Sequence, residues 1–116
     1  MKYRHYAPDA DVIVVEGDYR AAARRIAFEA DKAEREGKTA AILATEQTAS
    51  FYQGRRYVII GDRDAPNTLC ANLFAALREL SGKVDEIYAE ALPPEEAGLA
   101  FMNRLLRAAG FHTIEA

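Results

Sequence analysis

Short runs of β-branched and apolar residues alternate with helix-length amphipathic segments along nearly the whole chain. Val12-Ile13-Val14-Val15 reads as a strand. Gly17-Asp18 then turns into a segment with apolar or small residues at Tyr19, Ala22, Ala23, Ile26, Ala30 and Ala33, the spacing of one helix face. Asp18 is placed to cap that helix and Gly37 to stop it in a left-handed conformation. Ala40 to Ala44 and Tyr57 to Ile60 read as further strands, with a helical turn around Thr48 to Tyr52 between them and Gly54 and Gly61 as punctuation. Leu69, Leu73, Ala76, Leu77 and Leu80 mark a second helix stopping at Ser81-Gly82, and Ile87-Tyr88-Ala89 a fourth strand. Pro93-Pro94-Glu95-Glu96 leads into a last helix with Leu99, Met102, Leu106 and Ala109 on one face, ending at Gly110. Phe111 to Ile114 then alternates like an edge strand.

Continuous apolar strands separated by helices predict a mainly parallel sheet, because right-handed crossovers place helices on both faces. The expected class is α/β, a Rossmann-like three-layer sandwich of about five strands. Strand order is not readable. With 116 residues, half of them apolar, the chain is expected to form one domain with one core. Residues 1–9 lack apolar periodicity and read as an extended arm, leaving 10–116 as the domain. Apolar runs fall far short of the ~20 residues of a membrane helix. No apolar stretch follows the charged start, so no secretory signal is expected, and a single cysteine, Cys70, fits a cytoplasmic protein. A net charge of −3 without a basic stripe argues against direct nucleic-acid binding.

Little of the chemistry forms a site. Nucleotide binding at Glu16-Gly17-Asp18 would suit the carboxyl end of a strand, but G-x-G-x-x-G is missing and both flanking residues are acidic. A capped turn explains the segment better. Cys70, buried in a helical pattern, has no neighbouring base, and His5 and His112 lack metal-ligand spacing. Glu95-Glu96 read as favourable charge at a helix start. Two segments stay open. Lys2-Tyr3-Arg4-His5-Tyr6-Ala7-Pro8 is either a solvated tail or a set of cations and rings suited to phosphates and a base. Asn103-Arg104 either tie the last helix to a neighbouring loop or contact another domain.

The arm Met1 to Pro8, the helix Asn72 to Leu80, the strand Ile87 to Glu90 and the run Gly98 to Ala109 together resemble the C-terminal domain of the long, two-domain threonylcarbamoyl-adenylate synthases, whose catalytic half is the YrdC-type domain. The resemblance spans essentially the whole chain. It departs at Ala100, where family members often carry a second glycine. It implies a parent enzyme that joins threonine, bicarbonate and ATP, with Mg, into threonylcarbamoyl-AMP and pyrophosphate for tRNA modification. It also implies that this chain is a piece of that enzyme, partnered by an N-terminal catalytic domain and inactive alone, with no catalytic residue, metal or cofactor of its own. In such enzymes the arm crosses the mouth of the active site, so Lys2, Tyr3, Arg4, His5 and Tyr6 are expected to help enclose the nucleotide, and Asn103 and Arg104 to contact the other domain. The residues by themselves leave two alternatives, a free-standing Rossmann-like binder of small ligands, using loops after Gly17, Thr45 and Gly61, and a dimerisation or interaction module.

Overall fold

Val12 to Val15 are all buried, and this makes β1 (Asp11–Glu16) a strand covered on both faces. The computed structural model describes residues 9–95 and 97–116. After β1 come α1 (Tyr19–Arg35), β2 (Ala40–Thr45), a 3-10 turn (Ala49–Tyr52), β3 (Tyr57–Gly61), α2 (Pro66–Leu80), β4 (Glu86–Glu90), α3 (Ala97–Ala108) and β5 (Thr113–Glu115). The five strands form one sheet in the order β3-β2-β4-β1-β5, and every pairing is parallel. The α/β sandwich expected from the alternation is therefore what forms.

Alternate residues along each strand feed two cores. Ile13, Val15, Ile42, Ala44 and Tyr88 face α1, which answers with Ala22, Ala23, Ile26, Ala30 and Ala33. Val12, Val14, Ala41, Leu43, Ile87 and Ala89 face α2 and α3. Burying a side chain such as Ile26 or Leu73 contributes about 1.5–3 kcal/mol. Asp18 caps α1, one carboxylate oxygen accepting from the N–H groups of Arg20 and Ala21, both at 3.1 Å. Gly37, at φ 88°, ends the turn after that helix.

Two expectations need correction. The sheet-facing stripe of α3 is Gly98, Phe101, Met102 and Leu105, whereas Leu99 is 46% exposed. The helix is rotated because Gly98 packs on the β4–α3 loop: a Cβ there would lie 2.4 Å from the carbonyl oxygen of Pro93. At the other end, Phe111 belongs to a turn and is 69% exposed; both Gly110 (φ 61°) and Phe111 (φ 63°) are left-handed, so β5 begins only at Thr113.

The topology also fixes where a site can lie. β1 and β4 are neighbours, yet α1 leaves β1 for one face and α3 leaves β4 for the other. Chains diverging from adjacent carboxyl ends leave a crevice between them, the usual ligand position in open parallel sheets.

Candidate functional site

A cleft of about 550 Å³ occupies that crevice. Glu16 to Tyr19 form the wall that follows β1, and Ala91 to Pro94 the wall that follows β4; α3 contributes Leu99, Met102, Asn103 and Leu106. Arg63, from the β3–α2 loop, also lines it.

Arg63 is held by a buried carboxylate. Glu90, at the end of β4, has a side chain 1% exposed, and Arg63 Nη1 donates to its Oε1 at 2.9 Å. Thr45 Oγ1 donates to the same oxygen at 3.2 Å, while Oε2 accepts from Tyr52 at 2.6 Å and from Thr48. The carboxylate thus gathers donors from β2, the 3-10 turn, and the β3–α2 loop. A buried charge is tolerable only with such a complete set of donors. Burial, together with the negative charge of Glu90, pushes the Tyr52 hydroxyl well above its ordinary range. Arg63 also donates through Nη2 to the Ala91 carbonyl at 3.0 Å, and its guanidinium carbon lies 4.5 Å from the ring centroid of Tyr19. One side chain therefore binds the inner network to the cleft wall.

Glu16 lies beside Glu115, its partner in the β1–β5 register. A hydrogen bond between the two carboxyl groups raises the Glu16 pKa, helped by partial burial and by the Glu115 charge. The carboxyl of Asp62, half-buried just after β3, is held below its ordinary pKa by the Gln47 amide and then by the backbone N–H of Asp64.

The expected arm residues Lys2, Tyr3, Arg4, His5 and Tyr6 lie outside the described residues, as does Glu96. Where the described residues begin, the Asp9 N–H donates to Ser81 Oγ at 2.7 Å, Ala10 packs against the α2–α3 core, and the Asp11 N–H donates to the Asp85 carbonyl at 3.0 Å. Asn103 and Arg104 are exposed and do not act together. Asn103 lines the cleft; Arg104 donates to the Ala100 carbonyl at 3.3 Å and lies 3.9 Å from the sulfur of Cys70 on α2. Of the ligand loops considered from sequence, Gly17 lines the cleft and the loop after Gly61 delivers Arg63, whereas Thr45 is buried in the Glu90 network. Among the described residues no three His, Cys, Asp or Glu side chains gather as a metal site.

These features define a Rossmann-like α/β domain: an all-parallel sheet with a switch-point cleft. The family model for the threonylcarbamoyl-AMP synthase C-terminal domain matches residues 1–110, and the chain belongs to that family. The threonylcarbamoyl-AMP synthase of Bacillus subtilis (strain 168) is 38% identical over 115 residues, covering 98% of this chain and 32% of the relative. The crystal structure of Pyrococcus abyssi Sua5 complexed with L-threonine superimposes with a TM-score of 0.85 at 38% identity, over 100% of this chain and 33% of that one. The crystal structure of the C-terminal Sua5 domain from a hypothetical Sua5 protein of Pyrococcus horikoshii gives a TM-score of 0.74 at 31% identity, over 95% of this chain and 100% of that one. The chain thus spans about a third of the length of the full-length relatives it matches.

Proposed function

We propose that this chain is the accessory C-terminal domain of a two-domain L-threonylcarbamoyladenylate synthase, whose N-terminal YrdC-type domain converts threonine, bicarbonate and ATP, with Mg, into threonylcarbamoyl-AMP and pyrophosphate for cytoplasmic tRNA modification. The observation that carries this reading is a match to the C-terminal family over residues 1–110, while the full-length relatives are about three times as long.

The domain's part in the reaction is mechanical. Lys2, Tyr3, Arg4, His5 and Tyr6 form a cover over the nucleotide, and the domain fixes where that cover begins. The bond from Asp9 to Ser81 Oγ and the pairing of Asp11 with Asp85 support this role, because a cover rooted in a buried strand loses less freedom when it closes. Asn103 and Arg104 serve as contacts to the catalytic domain, on the exposed side of α3.

The test is an assay of pyrophosphate release with ATP, threonine and bicarbonate. The isolated chain is expected to show no threonine-dependent turnover, and turnover that copurifies with it would overturn the accessory reading. In the two-domain enzyme, Arg4→Ala and Tyr6→Ala should weaken nucleotide retention about ten- to a hundredfold, the size of a charge-assisted or stacking contact, with the melting temperature unchanged. Full activity in both variants would remove the cover from the proposal.

A further inference from the structure

The switch-point cleft has a chemical bias of its own. Its apolar wall includes Pro93, Leu99, Met102 and Leu106, and nothing in the core accounts for the exposure of Leu99. Its polar wall carries Asp18 and Glu16, the latter hydrogen-bonded to the Glu115 carboxyl, with Arg63 and Asn103 beside them. Asp18 spends Oδ2 on both cap bonds, so Oδ1 remains available as an acceptor.

The groups that would favour an anion already have partners. The Arg20 and Ala21 N–H groups that open α1 are taken by Asp18. Arg63 donates to Glu90 and to the Ala91 carbonyl, so its charge is balanced by a carboxylate that is 1% exposed. A phosphate entering here meets capped N–H groups, a guanidinium already paired with Glu90, and the carboxyl groups of Glu16 and Asp18, whereas an ammonium group meets acceptors. Asn103, which lines the cleft, has no hydrogen-bond partner among the described residues and adds a carbonyl oxygen. At about 550 Å³ the space suits a small molecule. It is also separate from Asp9, where the proposed arm would begin: the two lie at opposite ends of β1, about 20 Å apart for a six-residue strand.

We propose that this cleft binds a small organic cation with an apolar body, its ammonium group held by Glu16 and Asp18 and its body packed against Leu99, Met102 and Leu106. The site belongs to the chain itself, so its test is independent of any synthase activity.

Three probes with one apolar body separate the contributions: 4-phenylbutylamine, 4-phenylbutanol and 4-phenylbutyrate, each titrated into the isotope-labelled chain and followed by backbone amide shifts. The amine is expected to move the amides of Gly17, Asp18, Ala91 and Asn103 and to bind at least about tenfold more tightly than the other two, the effect of one charge-assisted contact. Glu16→Gln should reduce that preference about tenfold, and Leu99→Ser should weaken all three probes alike. An ammonium group can also come from a lysine side chain, so a peptide with the sequence of residues 1–8 forms a further arm of the experiment. Equal affinity for the three probes, a preference for the carboxylate, an amine preference untouched by Glu16→Gln, or cleft binding by the peptide alone would each overturn the proposal.

Discussion

Replacing Glu90 by glutamine tests whether the buried network holds the carboxyl ends of the sheet together. The change keeps the shape and removes the charge, leaving Arg63, whose side chain is 10% exposed, beside a neutral amide. Glu90 accepts from Thr45, Thr48, Tyr52 and Arg63, and a glutamine has one acceptor oxygen, so at least one hydroxyl must face an N–H group instead. Breaking a buried ion pair from one side costs about 3–5 kcal/mol. For a domain of this length, roughly 4 °C per kcal/mol gives a fall in Tm of about 12–20 °C. Urea unfolding followed by circular dichroism reads the free energy directly. The double variant Arg63→Met with Glu90→Gln removes both charges while keeping an acceptor oxygen for the buried hydroxyls, and should recover more than half of the loss, because the penalty lies mainly in the orphaned partner. A Glu90→Gln cost below about 1 kcal/mol, or a double variant worse than the sum of the singles, would refute this account of the network.

Other consequences are smaller in scale or narrower in cause. Gly98→Ala should destabilise the domain by about 1–3 kcal/mol in the same urea assay, because a Cβ at that position lies 2.4 Å from the Pro93 carbonyl and backbone must move. The Arg55 guanidinium, which chelates Asp31 at 2.8 and 2.9 Å, holds that carboxyl below its ordinary pKa, so its contribution is present at neutral pH and is lost as pH falls through the folded-state value. Since the Asp31 side chain is 42% exposed, Arg55→Met should cost only about 0.2–1 kcal/mol at pH 7 and nothing in strong acid. Glu16 is shifted the other way: its raised pKa gives stability that is full below the unfolded-state value and lost as pH rises through the folded one, so Glu115→Gln should flatten that decline in melting curves taken across the pH range.

Local rules made most of the architecture legible. Asp18 announces the start of α1 because a short acidic side chain is what the first free N–H groups need, and it is what they receive. The four buried residues of β1 and the wholly buried β2 read as strands covered on both faces for the same local reason. The Glu90 network was illegible because its donors lie 27, 38, 42 and 45 residues away, and a glutamate ending the strand Ile87 to Glu90 carries no local mark of burial. The rotation of α3 escaped for a different reason. Two apolar stripes share that helix, Phe101-Met102-Leu105 and Leu99-Leu106, and periodicity does not rank them; the close approach of Gly98 to Pro93 does. The cleft follows from that rotation, since it turns Leu99 and Asn103 away from the sheet and toward the space between β1 and β4.

Asp9, where the proposed arm would begin, and the cleft lie at opposite ends of β1, and this makes their coupling measurable. β1 is buried on both faces and paired on both sides, with β4 over Asp11 to Val15 and with β5 over Val14 to Glu16. A strand so enclosed has no second arrangement for a ligand at Gly17 to favour, and a ligand shifts an equilibrium only through different affinities for its two states. Binding should therefore stabilise the folded domain as a whole and leave local opening at Asp9 unchanged. With an amine at 100 times its Kd, global stability rises by about 2.7 kcal/mol, which slows exchange of amides released only by global unfolding about a hundredfold. Val14 and Ile42, buried in the centre of the sheet, are the amides expected to respond. The Asp9 amide, held by Ser81 Oγ outside the sheet, should exchange at the same rate with and without ligand. Native-state hydrogen exchange at fixed pH measures both in one experiment. A slowing at Asp9 matching that at Val14 would show that this end opens only when the whole domain unfolds. An acceleration there would show that the cleft and the arm are linked through β1, and the picture of two independent ends would fall.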